Sequence, residues 1–181
     1  MKKQLSIEIP KEVQVTVQDQ VVKVVGPYGE LTRKLPLQLE VNVGVKEVSI
    51  KNRGSNKASL ANVGTINAHI KNMFHGVTSE WKKTLELVGA GYRAEVKDGS
   101  LVINIGFSHP VTFLAPSGIK FKVEKSLITI EGPDIEIVGL LAARIRAIRP
   151  PDPYKGKGIR YQNEILKLKP GKQAAKTEGA K

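Results

Sequence analysis

Cations, glycines and tyrosines crowd one stretch of this chain: Arg144-Ile145-Arg146-Ala147-Ile148-Arg149-Pro150-Pro151-Asp152-Pro153-Tyr154-Lys155-Gly156-Lys157-Gly158-Ile159-Arg160-Tyr161. Lys and Arg side chains meet phosphate oxygens, tyrosine rings stack or hydrogen-bond, and glycine lets a backbone and its N–H groups approach an anion closely. The chemistry on offer is recognition of a polyanion rather than the making or breaking of bonds. Three prolines in four residues stiffen the entry to the segment, and Lys167, Lys169, Lys172, Lys176 and Lys181 carry the charge onward. Residues 173–181, rich in Lys, Ala and Gly, are expected to be disordered away from a partner.

Other residues invite chemistry less strongly. Arg144, Arg146 and Arg149 flank an apolar helical stripe, so they read either as a solvated rim or as a contact surface, and a helix C-terminus favours cations by itself. Tyr92 and Arg93 follow Gly89-Ala90-Gly91, which fits a strand start after a tight bend as well as an RNA contact. Ser108-His109-Pro110 reads as a hairpin turn, since no second histidine or cysteine is paired with His109 in sequence. Patterns for catalysis are missing. There is no phosphate loop ending in Lys-Ser/Thr, no Gly-x-Ser-x-Gly elbow, and no pair of carboxylates set apart as acid and base. The expectation is no enzyme, no cofactor and no catalytic residue. Without cysteine, and with His69, His75 and His109 as the only histidines, no metal site is expected either.

Positioning such a segment requires a scaffold, and an internal repeat outlines one. Val24-Val25-Gly26-Pro27 aligns with Asn104-Ile105-Gly106-Phe107 at an offset of 80, and Val48-Ser49-Ile50 with Ile128-Thr129-Ile130. At an offset of 75, Val63-Gly64 through Ile70-Lys71 then matches Val138-Gly139 through Ile145-Arg146. Period-two alternation predicts strands at 13–17, 21–25, 30–35, 39–43 and 47–52 in the first copy, and at 92–96, 101–105, 111–114, 120–123 and 128–131 in the second. Spacings of three and four predict one helix per copy, carried by Leu60, Val63, Ile66, Ile70, Met73 and Phe74, then by Ile135, Val138, Leu141, Ala142, Ile145 and Ile148. Strands followed by one helix make an α+β domain, a mostly antiparallel sheet with the helix on one face. The expected organisation is two tandem copies of this domain, residues 1–82 and 83–153, joined by a connection around His75 to Lys83, with a basic extension over 154–181. Trp81 is expected to pack between the domains.

Charge agrees with the segment. Residues 1–82 hold 12 basic and 7 acidic groups, residues 83–143 hold 6 and 7, and residues 144–181 hold 11 and 3. Two thirds of the net charge of +12 thus falls in the last 38 residues, whereas a merely solubilising surface would spread it. Neither a signal peptide nor an apolar run long enough to span a membrane is visible, so a soluble, intracellular protein is expected, with no membrane partner.

The segment Pro151-Asp152-Pro153-Tyr154-Lys155-Gly156-Lys157-Gly158-Ile159 closely resembles the motif of the bacterial-type ribosomal large-subunit protein six family. Thr84 through Ala94, Gly106-Phe107-Ser108-His109-Pro110-Val111 and Gly26-Pro27-x-Gly29-Glu30-Leu31 add to the resemblance, which covers nearly the whole chain. It implies two tandem domains of one α+β fold and contact with 23S ribosomal RNA near the sarcin–ricin loop, close to where translational GTPases dock. By resemblance Tyr154, Lys155, Gly156, Lys157 and Arg160 are RNA contacts. Tyr161, Arg149, Lys167, Lys169 and Lys172 complete the expected rRNA-binding set, with Arg144, Arg146, Tyr92, Arg93, Ser108 and His109 as weaker candidates. Expected partners are 23S rRNA, neighbouring large-subunit proteins and, transiently, translational GTPases. The implied location is the ribosome, in the cytoplasm, and no homo-oligomer is expected.

Overall fold

The computed structural model describes residues 4–54 and 57–171. In chain order it runs β1 (Gln4–Glu8), β2 (Gln14–Gln18), β3 (Val21–Gly26), β4 (Gly29–Lys34), β5 (Leu39–Val43), β6 (Glu47–Asn52) and α1 (Lys57–Ser79). The second half is β7 (Trp81–Val88), β8 (Arg93–Lys97), β9 (Ser100–Asn104), β10 (Val111–Phe113), β11 (Lys120–Glu124), β12 (Leu127–Gly132), α2 (Ile135–Ile148) and β13 (Gly158–Tyr161). Two tandem α+β domains result. In the first, sheet β1-β6-β5 and sheet β2-β3-β4 enclose a core with α1; in the second, β11-β12-β7-β13 and β10-β9-β8 do so with α2.

Strand periodicity explains the cores. Val22 and Val24 of β3, like Val48 and Ile50 of β6, are buried while their neighbours are not, as a pleated strand with one wet face requires. Their second-copy equivalents, Leu101 and Ile103 of β9 and Ile128 and Ile130 of β12, are buried too, although in β12 the alternation ends at Glu131, itself buried. Asp134 caps α2, its carboxylate accepting from the Glu136 N–H at 2.8 Å, and Val138, Leu141, Ala142 and Ile145 form the buried stripe.

Four expectations require correction. The connection expected around His75 to Lys83 is not a loop: α1 runs to Ser79 and Trp81 already opens β7, so a boundary after residue 82 would cut a strand. Gly76, Thr78 and Ser79 look like loop residues but serve the helix. Thr78 Oγ1 and Ser79 Oγ donate back to the carbonyls of Phe74 and His75, and a Cβ on Gly76 would stand 1.9 Å from the Pro133 carbonyl oxygen of the second domain. Second, β1, β7 and β13 were not expected as strands. Third, the segment from 154 onward is not wholly an extension, because Gly158–Tyr161 pairs antiparallel with β7 as the fourth strand of the second sheet. It covers an edge that β1, the first copy's equivalent of β7, leaves open among the described residues.

Fourth, the hairpin repeat is displaced by one. Asp19 and Gln20 occupy the turn positions of Asp98 and Gly99, all four at positive φ, so β2–β3 matches β8–β9 at an offset of 79 rather than 80. The offset returns to 80 at β4 and β10, where Val22 faces Arg33 and Leu101 faces Phe113. The second copy therefore carries one extra residue in the loop between β9 and β10, which holds Phe107, Ser108 and His109.

The domains are fastened side chain to side chain. Arg33 Nη1 of β4 donates to Glu136 Oε1 of α2 at 2.7 Å, and His69 Nδ1 of α1 lies 3.2 Å from the same oxygen. Trp81 joins them as expected, its Nε1 donating to the Asn72 carbonyl at 3.1 Å and its ring centroid 4.2 Å from that of His75.

Candidate nucleic-acid interface

Arg149 to Lys169 forms a strap seated along the β7 edge of the second domain's sheet. Its fold is dictated by Asp152. The Asp152 carboxylate accepts from the Tyr154 N–H at 3.3 Å and the Lys155 N–H at 3.1 Å, its carbonyl accepts from Gly156 N–H at 2.8 Å, and its own N–H donates to the Lys157 carbonyl at 2.8 Å. Those bonds close a tight loop of the Asx-turn kind. They also revise the reading of the glycines: the Gly156 N–H is consumed inside the loop and does not point outward at an anion. What faces outward is side chain. Tyr154, Lys155 and Lys157 are exposed, and Lys169, held by its N–H to the Pro153 carbonyl at 2.8 Å, returns beside them. Asp152→Ala should leave the second core intact but raise amide exchange at Tyr154 and Lys155 by about fivefold, since a capping bond is worth about 1 kcal/mol; unchanged exchange there would show that the prolines alone hold the loop.

The cations divide by partner. Arg160 on β13 donates to Glu86 Oε2 on β7 at 2.8 Å, and both are about a third exposed. Arg146 on α2 donates from Nε to Glu164 Oε2 at 3.0 Å, pairs again through Nη2 with Glu164 Oε1, and lies 5.6 Å from the Tyr161 ring centroid. The bidentate guanidinium holds the Glu164 carboxyl below the usual carboxylate range, helped by the Tyr161 N–H. Arg149 lies 5.8 Å from the ring centroid of Tyr92 and 5.7 Å from that of Phe107. By contrast Lys155, Lys157, Lys167, Lys169, Arg144 and Arg93 are exposed and pair with no carboxylate among the described residues. Lys172 lies outside the described residues, as do Lys176, Lys181 and the residues expected to be disordered.

The pairing of Glu164 makes strap stability depend on pH. Its folded-state pKa is depressed, so its contribution is present above the unfolded carboxylate value and is lost as pH falls through the lower folded value. Glu131 behaves alike: Lys122 and Lys82 hydrogen-bond its buried carboxylate and depress its pKa. Glu131→Gln should therefore be less stable than the wild type at pH 7, with the gap in urea midpoint closing below about pH 4. A gap independent of pH would mean that the loss is one of packing, not charge.

Not every expected residue converges on one place. The strap gathers Tyr154, Lys155, Gly156, Lys157 and Lys169, with Arg160 and Tyr161 on its strand. Tyr92, Arg93, Ser108 and His109 belong to the β8–β10 side, joined to the strap's root by Arg149. Arg144 is exposed on α2. Sequence reasoning missed four residues of the site: Asp152, Glu86, Glu164 and Phe107. The position of Asp152 among prolines and glycines is a turn signal that was available; the two glutamates carry no signal until the strand partners are known.

The sequence model of the family described as ribosomal protein L6 matches residues 9–80 and 88–162, one match in each domain. The chain is 44% identical over 167 residues to the large ribosomal subunit protein uL6 of Staphylococcus carnosus, covering 92% of this chain and 94% of that one. It is 44% identical over 172 residues to the protein of that name from Thermodesulfovibrio yellowstonii, covering 94% and 96%. The uL6 of Synechococcus sp. is 43% identical over 171 residues, with 94% and 96% covered.

Proposed function

The chain belongs to the ribosomal protein L6 family, whose members are structural proteins and not enzymes, and from that premise we propose that it is a constituent of the large ribosomal subunit that binds 23S rRNA through the strap of its second domain, in the cytoplasm. The observation that carries this reading is a set of exposed cations that pair with no carboxylate among the described residues: Lys155 and Lys157 on an internally hydrogen-bonded loop, Lys169 tied to it, and Lys167 further along the strap. Displacing counterions from phosphates is what such a set does well, and it needs no pocket and no base reading. Arg160 and Tyr161 remain contacts in this reading, through the atoms that Glu86 and Arg146 leave free. The contacted region is the neighbourhood of the sarcin–ricin loop, which makes translational GTPases transient partners and adjacent large-subunit proteins permanent ones. The first domain, clamped by the Arg33–Glu136 contact, acts as a rigid arm.

Binding of the full chain to deproteinised 23S rRNA over a range of salt tests this. Affinity should fall steeply with salt, and chemical probing should show protection at the sarcin–ricin stem. Salt-insensitive binding, as an apolar protein interface would give, contradicts the proposal.

A further inference from the structure

Phe107 is an aromatic ring with no place in the core. It stands on the loop between β9 and β10, just after Gly106 at φ +82°, and is 48% exposed. It is nevertheless held. The Arg149 guanidinium lies against it and against Tyr92, and Arg149 Nη1 reaches the Ile105 carbonyl at 3.5 Å. Tyr92 is closed from behind, because a Cβ on Gly89 would meet its ring at 2.8 Å. Arg149 thus stands within cation–π distance of both rings, of which Phe107 is the more exposed. The first copy does something else with these positions: the equivalents of Tyr92 and Arg149 are Val13 and Phe74, both buried in the first core, and the loop there is one residue shorter. What is sealed as core in one domain is opened in the other as a supported, solvent-facing ring.

We propose that Phe107 offers its open face to an unpaired nucleobase, and that Arg149 is the positioning residue that holds the ring ready. The inference rests on the RNA-binding reading and deepens it by adding a base contact to a site built for phosphates. The surroundings favour a base over an apolar protein side chain. Exposed Arg93 pairs with no carboxylate among the described residues, and exposed Ser108 and His109 follow the ring directly. A base stack needs a flat π face with cations near the flanking phosphates, and holding the ring beforehand removes ordering that binding would otherwise require. Arg149 is thereby reassigned. Its guanidinium acts through the ring, not as a free phosphate contact.

Three full-length variants test this by 23S rRNA binding at several salt concentrations, with circular dichroism as the check on folding. Phe107→Leu keeps apolar volume and loses the π face; affinity should fall about tenfold with the salt slope unchanged. Arg149→Lys keeps the charge and loses the planar support; it should weaken binding several-fold, again without a change of slope. Phe107→Trp should bind like the wild type, with its additional indole emission quenched by the RNA. Wild-type affinity for Phe107→Leu would overturn the proposal, as would a reduced slope, which would mean that the ring only places a cation. Full affinity for Arg149→Lys would overturn the positioning role. If the wild type itself does not bind 23S rRNA, the underlying RNA reading fails, and that is seen before any variant is compared.

Discussion

Replacing Lys155 and Lys157 together by Ala is expected to lower the slope of log affinity against log salt for 23S rRNA by about two, one for each phosphate no longer neutralised. At low salt the drop in affinity should be large, and it should shrink as salt rises and the wild type loses its own advantage. Thermal stability should not change. Both side chains are exposed and pair with no carboxylate among the described residues, while the backbone that places them is bound to Asp152 through the Lys155 N–H and the Lys157 carbonyl, both of which alanine retains. The contrast is Arg160→Ala. Its guanidinium is matched to Glu86, so removing it leaves an unpaired, partly buried carboxylate. That variant should lose stability first, and its salt slope should change by less than one. A lysine pair that lowered stability while leaving the slope alone would reverse the assignment, making the loop structural and the paired arginines the RNA contacts.

The difference between these cations could not be read from the sequence. Lys155, Lys157 and Arg160 stand within six residues of one another and look alike in a charge count. Glu86 lies 74 residues before Arg160, and only the pairing of β13 with β7 brings them together. The same non-local step hid the strand itself. Gly158-Ile159-Arg160-Tyr161 is too short and too basic to advertise burial, yet Ile159 is fully buried because β7 presents it an open edge. The cores were legible for the opposite reason. Alternation in β3 and β6 and the three-four spacing in both helices are local consequences of burying one face, so Val22, Val24, Val63 and Ile145 could be placed without knowing any partner. Gly76 shows how a local signal misleads. Its residue type suggests a loop, whereas the structure uses its missing side chain for close approach to Pro133 inside a helix.

Glycines also supply the largest expected effect on stability. Gly156 and Gly158 each follow a lysine and look interchangeable, and both have positive φ, +68° and +148°. Their surroundings differ. A Cβ on Gly156 would meet Leu168 and Leu166 side chains at 3.6 and 3.7 Å, ordinary contacts, so Gly156→Ala bears only the left-handed strain, about 1 kcal/mol, or about 3 °C in Tm. A Cβ on Gly158 would stand 2.6 Å from the Pro150 carbonyl oxygen and 2.7 Å from Pro151 Cα, backbone that two prolines prevent from moving aside. Strain and overlap add, and Gly158→Ala should cost on the order of 3 kcal/mol, about 10 °C in Tm. The chain has one way out, which is to release β13. That would expose Ile159, break the Arg160–Glu86 pair and carry Lys155 and Lys157 away from the domain. Trypsin should then cut the native variant rapidly after Lys157 and Arg160, sites that are slow in the wild type, and rRNA affinity should fall although no cation has been removed. Equal Tm values for the two alanine variants, or rapid cleavage in both, would mean that the strap is not seated on the second sheet at Gly158, and the placement of its lysines by that sheet would fall with it.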